Sequence, residues 1–298
     1  MIRIALLFAT AAFAQTVQVE NTGKIGRRVE NKYYVADLSP RENRGRQEDS
    51  GTLRALTFKD FGLTLFRSPN NGRMHKGPSI QRVGASTYAD QGVWDPVQDF
   101  REARRDGFYI HHREGYFPGY PEVKVTSEYR FPADAPYFLV STVLAVEKPI
   151  RVSLLRNNEM TMNLFFTHLA WPGRDGAVRV ASFDERKPIL EKEAIPADAP
   201  WLAFVNLEKG YGYGFVMLES EASKTANADT TIADGVRSSA DPVLDARYWS
   251  RHLIWNSPVD LVPGDRFEEQ TAYVLFHSSE KSPLGDFPEW EKRIRAAR

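Results

Sequence analysis

Two neighbouring stretches decide the fold: Val123-Lys124-Val125-Thr126-Ser127-Glu128-Tyr129-Arg130-Phe131, then Tyr137-Phe138-Leu139-Val140-Ser141-Thr142-Val143-Leu144-Ala145-Val146. Apolar, β-branched and aromatic residues recur at every second position, the period of a strand with one buried face. Pro132 and Pro136 lie between the two runs, where strand pairing stops. The same rhythm recurs outward in both directions, over 32–38, 52–58, 62–67 and 107–113, and again over 150–158, 177–183, 201–206, 211–219, 248–255 and 270–277. Twelve such runs with almost no helical periodicity between them predict an all-β, antiparallel sandwich of stacked sheets, not alternating strands and helices. Two short helices are expected. Asp95-Pro96 offers a cap and a first-turn proline before Gly107, and Asp286 can cap a helix bearing Phe287, Trp290 and Ile294 on one face. Ser39–Gly51 and Ser220–Ala246 read as long polar connections, the kind that form binding loops or insertions.

Residues 1–14 carry one charge at Arg3, an apolar run and Ala12-Phe13-Ala14, the small-x-small pattern of a cleaved leader. That run is shorter than the ~20 residues needed to cross a bilayer. The expectation is therefore a signal peptide over 1–14, one β-sandwich domain over 15–298, and a secreted or periplasmic protein without membrane attachment. The chain has no cysteine, which excludes disulfides, thiolate nucleophiles and cysteine-ligated metals. Its 39 basic and 39 acidic residues balance, and no basic tract tracks a phosphate backbone, so nucleic acid is not an expected partner. Twelve Tyr, six Trp and eighteen Phe supply flat faces that suit sugar rings as well as a β core.

Several clusters carry candidate chemistry. Along 150–158, Ile150, Val152 and Leu154 alternate on one face, and continued alternation puts Arg156 and Asn158 on it too. Either the strand runs into a polar cleft there, or it leaves the core. His168 lies near Trp171, an acid or base beside a stacking ring, or else a hydrogen-bonded core histidine. His111 and His112 point to opposite faces of their strand, which rules out joint chelation from regular geometry. His112 is the inward candidate because it falls with Phe108 and Ile110. Tyr116 and Tyr120 sit beside it in a Gly/Pro-rich loop that can line a cleft. Arg73, His75 and Lys76 place cationic groups on a loop suited to a hydroxyl-rich or carboxylate ligand. His252, on a face with Tyr248 and Ile254, reads as a core histidine. No His-x-His or His-Glu-x-x-His spacing supports a metal site, and no phosphate loop or serine elbow is present, so no metal and no organic cofactor is expected. Gly210-Tyr211-Gly212-Tyr213-Gly214-Phe215 alternates as one strand with a glycine face that lets another layer approach closely.

The segment Val259–Phe276, an apolar strand, a Pro263-Gly264 turn and a strand ending in aromatic residues, resembles the last strands of aldose 1-epimerases. Gly51-Thr52-Leu53-Arg54-Ala55-Leu56 looks like the first hairpin of that superfamily. The resemblance implies a galactose mutarotase-like β-supersandwich, a fold shared by epimerases, polysaccharide lyases and accessory domains of glycosidases. In the epimerases a histidine protonates the ring oxygen and a glutamate takes the anomeric hydroxyl proton. His168 is the nearest match for that histidine, but no glutamate lies in the 248–260 strands, leaving Glu159, Glu128 or Glu114 as substitutes. A lyase acting by β-elimination at a uronate instead needs a group that neutralises the carboxylate and a His or Tyr to move protons. Arg156, Asn158, His168, His112 and Tyr116 supply that catalytic set. Trp171, Tyr120, Arg73, His75 and Lys76 would then bind the sugar. The sequence therefore favours a carbohydrate-active, lyase-like enzyme, with an aldose epimerase and a non-catalytic sugar-binding domain as alternatives.

Overall fold

The computed structural model describes residues 16–38, 41–43, 46–48, 50–66, 74–75, 77–90, 99–162, 166–183, 195–234 and 247–297. The chain opens with β1 (Gln18–Asn21), β2 (Arg27–Glu30), β3 (Tyr34–Leu38), β4 (Arg41–Asn43), β5 (Arg46–Glu48), β6 (Leu53–Phe58) and β7 (Leu63–Phe66). It continues through β8 (Ser79–Arg82), β9 (Ala89–Asp90), β10 (Asp99–Arg105), β11 (Phe108–Tyr116), β12 (Val123–Pro132), β13 (Tyr137–Val146) and β14 (Ile150–Met162). Then follow β15 (His168–Pro172), β16 (Val178–Ser182), β17 (Trp201–Asn206), β18 (Tyr211–Ala222), β19 (Asp229–Asp234), β20 (Arg247–Leu261), β21 (Arg266–His277) and helix α1 (Phe287–Ala296).

Every pairing between the described strands is antiparallel, as the absence of βαβ periodicity leads one to expect. A nine-stranded sheet runs β10-β11-β12-β13-β21-β18-β17-β15-β16, and two five-stranded sheets run β1-β2-β3-β6-β7 and β19-β20-β14-β8-β9. One face of the wide sheet is covered by both smaller ones. Tyr129, Phe138, Tyr213 and Tyr273 of the wide sheet pack with Tyr34, Leu56 and Phe58 on one side and Met160 and Trp249 on the other. Farther along, Val123, Leu144 and Phe267 pack on Val152, Leu155 and Leu253. Alternation along β12 and β13 produces this directly, with every second residue buried.

The other face of the wide sheet carries α1. Its start at Phe287 after Asp286 agrees with the sequence expectation, although the Asp286 carboxylate accepts from His277 N–H and Trp290 Nε1 instead of capping the helix. The alternating glycines of β18 explain the close approach. A Cβ on Gly212 would lie 2.0 Å from the Phe276 ring, and one on Gly214 would lie 2.2 Å from Phe287. Gly214→Ala is therefore expected to cost about 1–3 kcal/mol through overpacking. A denaturation midpoint equal to that of the parent would show that α1 does not seat in this notch.

Two local expectations are corrected. The stretch 96–106, read as a helix, holds β10 over its described part, residues 99–106. Pairing of Asp99–Arg105 with Phe108–Glu114 overrides the local capping signals, and the charged side chains stand exposed at an open edge of the sheet. On β11 the inward face is Tyr109, His111 and Arg113, not the face of His112. The two polar connections also contain strand, namely the β4–β5 hairpin and the β18–β19 region.

Candidate functional site

β14 pairs irregularly with β20, with register shifts between Val152 and Leu154, between Leu155 and Arg156, and between Arg156 and Asn158; the last of these shapes the site. Pairing with β20 matches Arg156 to His252 and Asn158 to Arg251, so Asn157 is an extra residue with no partner of its own. Such a bulge reverses the alternation beyond it. Asn157 and Asn158 both reach the wide sheet. Thr142 Oγ1 donates to Asn157 Oδ1 at 2.9 Å, Tyr273 O–H donates to Asn158 Oδ1 at 2.6 Å, and Asn158 Nδ2 donates to Thr271 Oγ1 at 3.1 Å. Arg156 and Glu159 are three apart and would face opposite ways on a regular strand. With the extra residue they share the other face of β14 and form a buried, hydrogen-bonded ion pair.

Four groups join them on that face. His252, opposite Arg156, is 3% exposed, and its Nδ1–H donates to Asp229 Oδ1 at 2.5 Å. Asp229 begins β19 directly across from His252. The Trp255 ring stacks on the imidazole with centroids 4.4 Å apart and planes 15° apart. The Arg156 guanidinium lies 4.3 Å from the centroid of Tyr88. Tyr88 is exposed, Trp255 is half-buried and Asp229 is partly open, so these three lie between the buried pair and solvent.

Electrostatics fix the protonation states. Burial pushes the His252 pKa down, against the hydrogen bond and charge of Asp229. The ring is therefore neutral at pH 7. Its Nδ1 proton is committed to Asp229, which leaves the Nε2 lone pair as the acceptor, with Ser250 Oγ 3.5 Å from it. Burial and then Glu159 raise the pKa of the Tyr88 phenol, which Arg156 only partly offsets, so Tyr88 stays protonated. A neutral base, a protonated phenol and a carboxylate–guanidinium pair thus share one face, enough for proton transfer to and from a hydroxylated ligand.

The sequence candidates fare unequally. Arg156 belongs to the cluster. Asn158 and His75 lie behind it, where His75 Nε2–H donates to Asn158 Oδ1 at 3.0 Å. His112 sits instead on the outer face of β11 between Glu128 and Arg101, each at 3.0 Å. Tyr116 donates to Glu147 at the surface. The Tyr120 ring is buried core beneath Arg82. His168 and Trp171 lie an odd number of positions apart on β15 and face opposite ways. Trp171 packs in the core, and His168 shares the outer face of Ala170 on the α1 side. Arg73 and Lys76 lie outside the described residues. Among the described residues, no group of three His, Asp or Glu side chains is placed to hold a metal. No described helix is long and apolar enough to cross a membrane.

Sequence reasoning treated Glu159 only as a substitute, read His252 as core, and missed Asp229, Tyr88 and Trp255. The spacing of His252 and Trp255 was visible. The bulge that brings Glu159 beside them was not.

No family model matches the chain, and no curated protein matches it in sequence. Solved structures do. The galactosidase domain of an alpha-galactosidase–sucrose kinase matches 87% of this chain at 10% identity, with a TM-score of 0.53. A galactose mutarotase-like protein from Lactobacillus casei matches 84% of this chain and 99% of its own at 9% identity, with a TM-score of 0.49. The fold shared with the galactosidase domain is the all-β, antiparallel sandwich described above. The heparan sulfate lyase HepC from Pedobacter heparinus also matches 89% of the chain at 12% identity, with a TM-score of 0.45. This chain spans 41% of the galactosidase chain and 36% of the lyase chain. Likenesses this distant speak for the fold alone, so function has to be argued from the site.

Proposed function

We propose that this chain is a carbohydrate-active enzyme that interconverts the anomers of a neutral aldose by proton transfer. The observation that carries the reading is the oriented His252–Asp229 dyad facing the Arg156–Glu159 pair across β14 and β20. His252 Nε2 takes the proton of the anomeric hydroxyl, the bond from the anomeric carbon to the ring oxygen breaks, and Tyr88 gives its phenolic proton to that oxygen. The imidazolium so formed is stabilised by the Asp229 carboxylate and by the face of Trp255. Closure on the opposite face of the carbonyl returns both protons. Glu159 and Arg156 hydrogen-bond the neighbouring hydroxyls, and Tyr88 and Trp255 provide flat walls for the sugar ring.

Glu159 decides between this reading and the uronate lyase. A substrate carboxylate would meet a carboxylate already bound to Arg156, and the repulsion favours an uncharged sugar. One observation favours the lyase: Arg156 Nε–H is buried with no acceptor among the described residues, and a carboxylate would suit it. Exchange NMR on freshly dissolved aldoses tests the first reading. Faster anomer exchange at micromolar protein supports it, and exchange at the buffer rate across a panel of neutral aldoses rejects it. A new ultraviolet chromophore from uronate polymers would establish the lyase instead. Sugar binding with neither signal would leave a non-catalytic domain.

A further inference from the structure

Resting on that reading, we propose that Asn158 is the positioning residue of the site: it locks the β14 bulge and so keeps Arg156 and Glu159 on one face, although it touches no substrate.

Three side chains grip it from the far side of the strand. Tyr273 and Thr271 of β21 hold the oxygen and the nitrogen, and His75 holds the oxygen again. The direction of these bonds follows from the groups at the ends of the chain. Leu53 N–H donates to the Tyr129 hydroxyl at 3.2 Å, and that hydroxyl donates to His75 Nδ1 at 2.9 Å. The amide oxygen of Asn158 only accepts, so His75 carries its proton on Nε2. From Asn158 Nδ2 the order runs on through Thr271 O–H to Glu269 Oε1 at 3.2 Å, beside Arg251. Only an amide serves at position 158, since it must accept twice and donate once. Gly77 closes the backbone side, where a Cβ would lie 2.5 Å from Asn158 Cα. Thr142 holds the extra residue, Asn157, through a separate bond.

The physical consequence is specific. If the grip fails and the extra residue is absorbed, alternation resumes, and positions 156 and 159 fall on opposite faces. The Arg156–Glu159 pair is then lost although neither residue has changed.

A double-mutant cycle on folding stability reads this without any substrate. Arg156→Met and Glu159→Gln, singly and together, report the coupling within the pair, first in the parent chain and then in Asn158→Leu and Thr271→Val. Thr271→Val removes a single grip, so it keeps the test readable if Asn158→Leu does not fold. The expected result is coupling in the parent that is lost in Asn158→Leu and at least halved in Thr271→Val. In the anomer-exchange assay kcat should fall at least tenfold in Thr271→Val with KM changed less than threefold. Coupling of the same size in the folded variants overturns the proposal. Absence of turnover in the parent with coupling still sensitive to position 158 would instead remove the enzymatic reading and leave the positioning role standing.

Discussion

His252→Ala is expected to lower anomer exchange by about 10²–10⁴-fold, the range that a positioned proton-transfer group contributes, and Glu159→Gln, at a group that binds neighbouring hydroxyls, to lower it less. The mechanisms of loss differ. The glutamine keeps the shape of Glu159 and can still accept from Arg156, so it removes the negative charge and little else. Loss of the imidazole removes the acceptor itself and leaves the Asp229 carboxylate facing a gap. Asp229→Asn should retain more activity than His252→Ala, because the asparagine can still contact Nδ1 but no longer forces the Nε2 acceptor tautomer. Combining His252→Ala with Asp229→Asn should cost hardly more than His252→Ala alone, since the two act as a unit. His112→Ala and His168→Ala serve as comparisons. Both lie outside the cluster and should leave turnover within a few-fold of the parent. Turnover that survives loss of His252 but disappears with His168 would move the site to β15 and overturn the assignment.

Acidification should destabilise the protein well before its carboxylates protonate. His75 and His111 are fully buried, and burial pushes both pKa values down to about 3. Arg113 adds to the effect at each, and hydrogen bonds to Asn158 and Ile25 oppose it. The folded pKa is below the unfolded value of 6.5, so between those values the unfolded chain binds more protons. Stability then rises with pH across that interval. The contribution is fully present above pH 6.5 and is lost progressively as pH falls toward 3. Each histidine contributes a slope of up to about 1.4 kcal/mol per pH unit, so the pair costs roughly 4 kcal/mol between pH 7 and pH 5. Against a total of about 5–15 kcal/mol this is a large share. The buried His252 acts in the same direction. The carboxylate Glu102, held down to about 2 chiefly by its hydrogen bond from Arg27, loses its contribution only below its ordinary value of 4.5. The interval from pH 6.5 to 4.5 therefore isolates the histidines. Urea midpoints measured across it should fall steeply, and His111→Gln should flatten the slope by about one histidine's worth. A flat profile in the parent would show that these rings are charged in the native state.

How much of this could be read from the chain alone depends on the kind of signal. The strands of the wide sheet were legible because β12 and β13 each bury one face against the core, which makes apolar residues recur at every second position. The glycine face of β18 was legible for the same reason. The inward face of β11 was not. Phe108 and Ile110 made the side of His112 look apolar, yet the chain buries Tyr109, His111 and Arg113. Polar atoms from distant segments make that possible: Arg113 donates to Ser50 O at 2.6 Å and to Ser127 Oγ at 2.9 Å, and His111 donates to Ile25 O at 2.8 Å. No local pattern announces such partners. The site failed to show for a related reason. Strict alternation placed Arg156 with Asn158 on the core face, whereas the register shifts along β14 turn Arg156 outward with Glu159 and leave Asn158 toward the wide sheet. A bulge leaves almost no compositional trace, although its effect on which side chains meet is complete.

The seating of α1 bears on how the protein can be handled. Phe287, the first residue of the helix, is the side chain that fills the notch at Gly214, and Ile294 adds a second buried contact seven positions on. The deepest anchor thus lies at the amino end, while Trp290 packs half-buried on the same cluster, Arg295 donates to the Met217 and Pro200 carbonyls, and Arg293 is exposed. An affinity tag or fluorescent partner fused beyond Ala296 would ride on the outer end of the helix without prying the ring from its seat, whereas a cut before Phe287 would strip the sheet to bare glycine and ring.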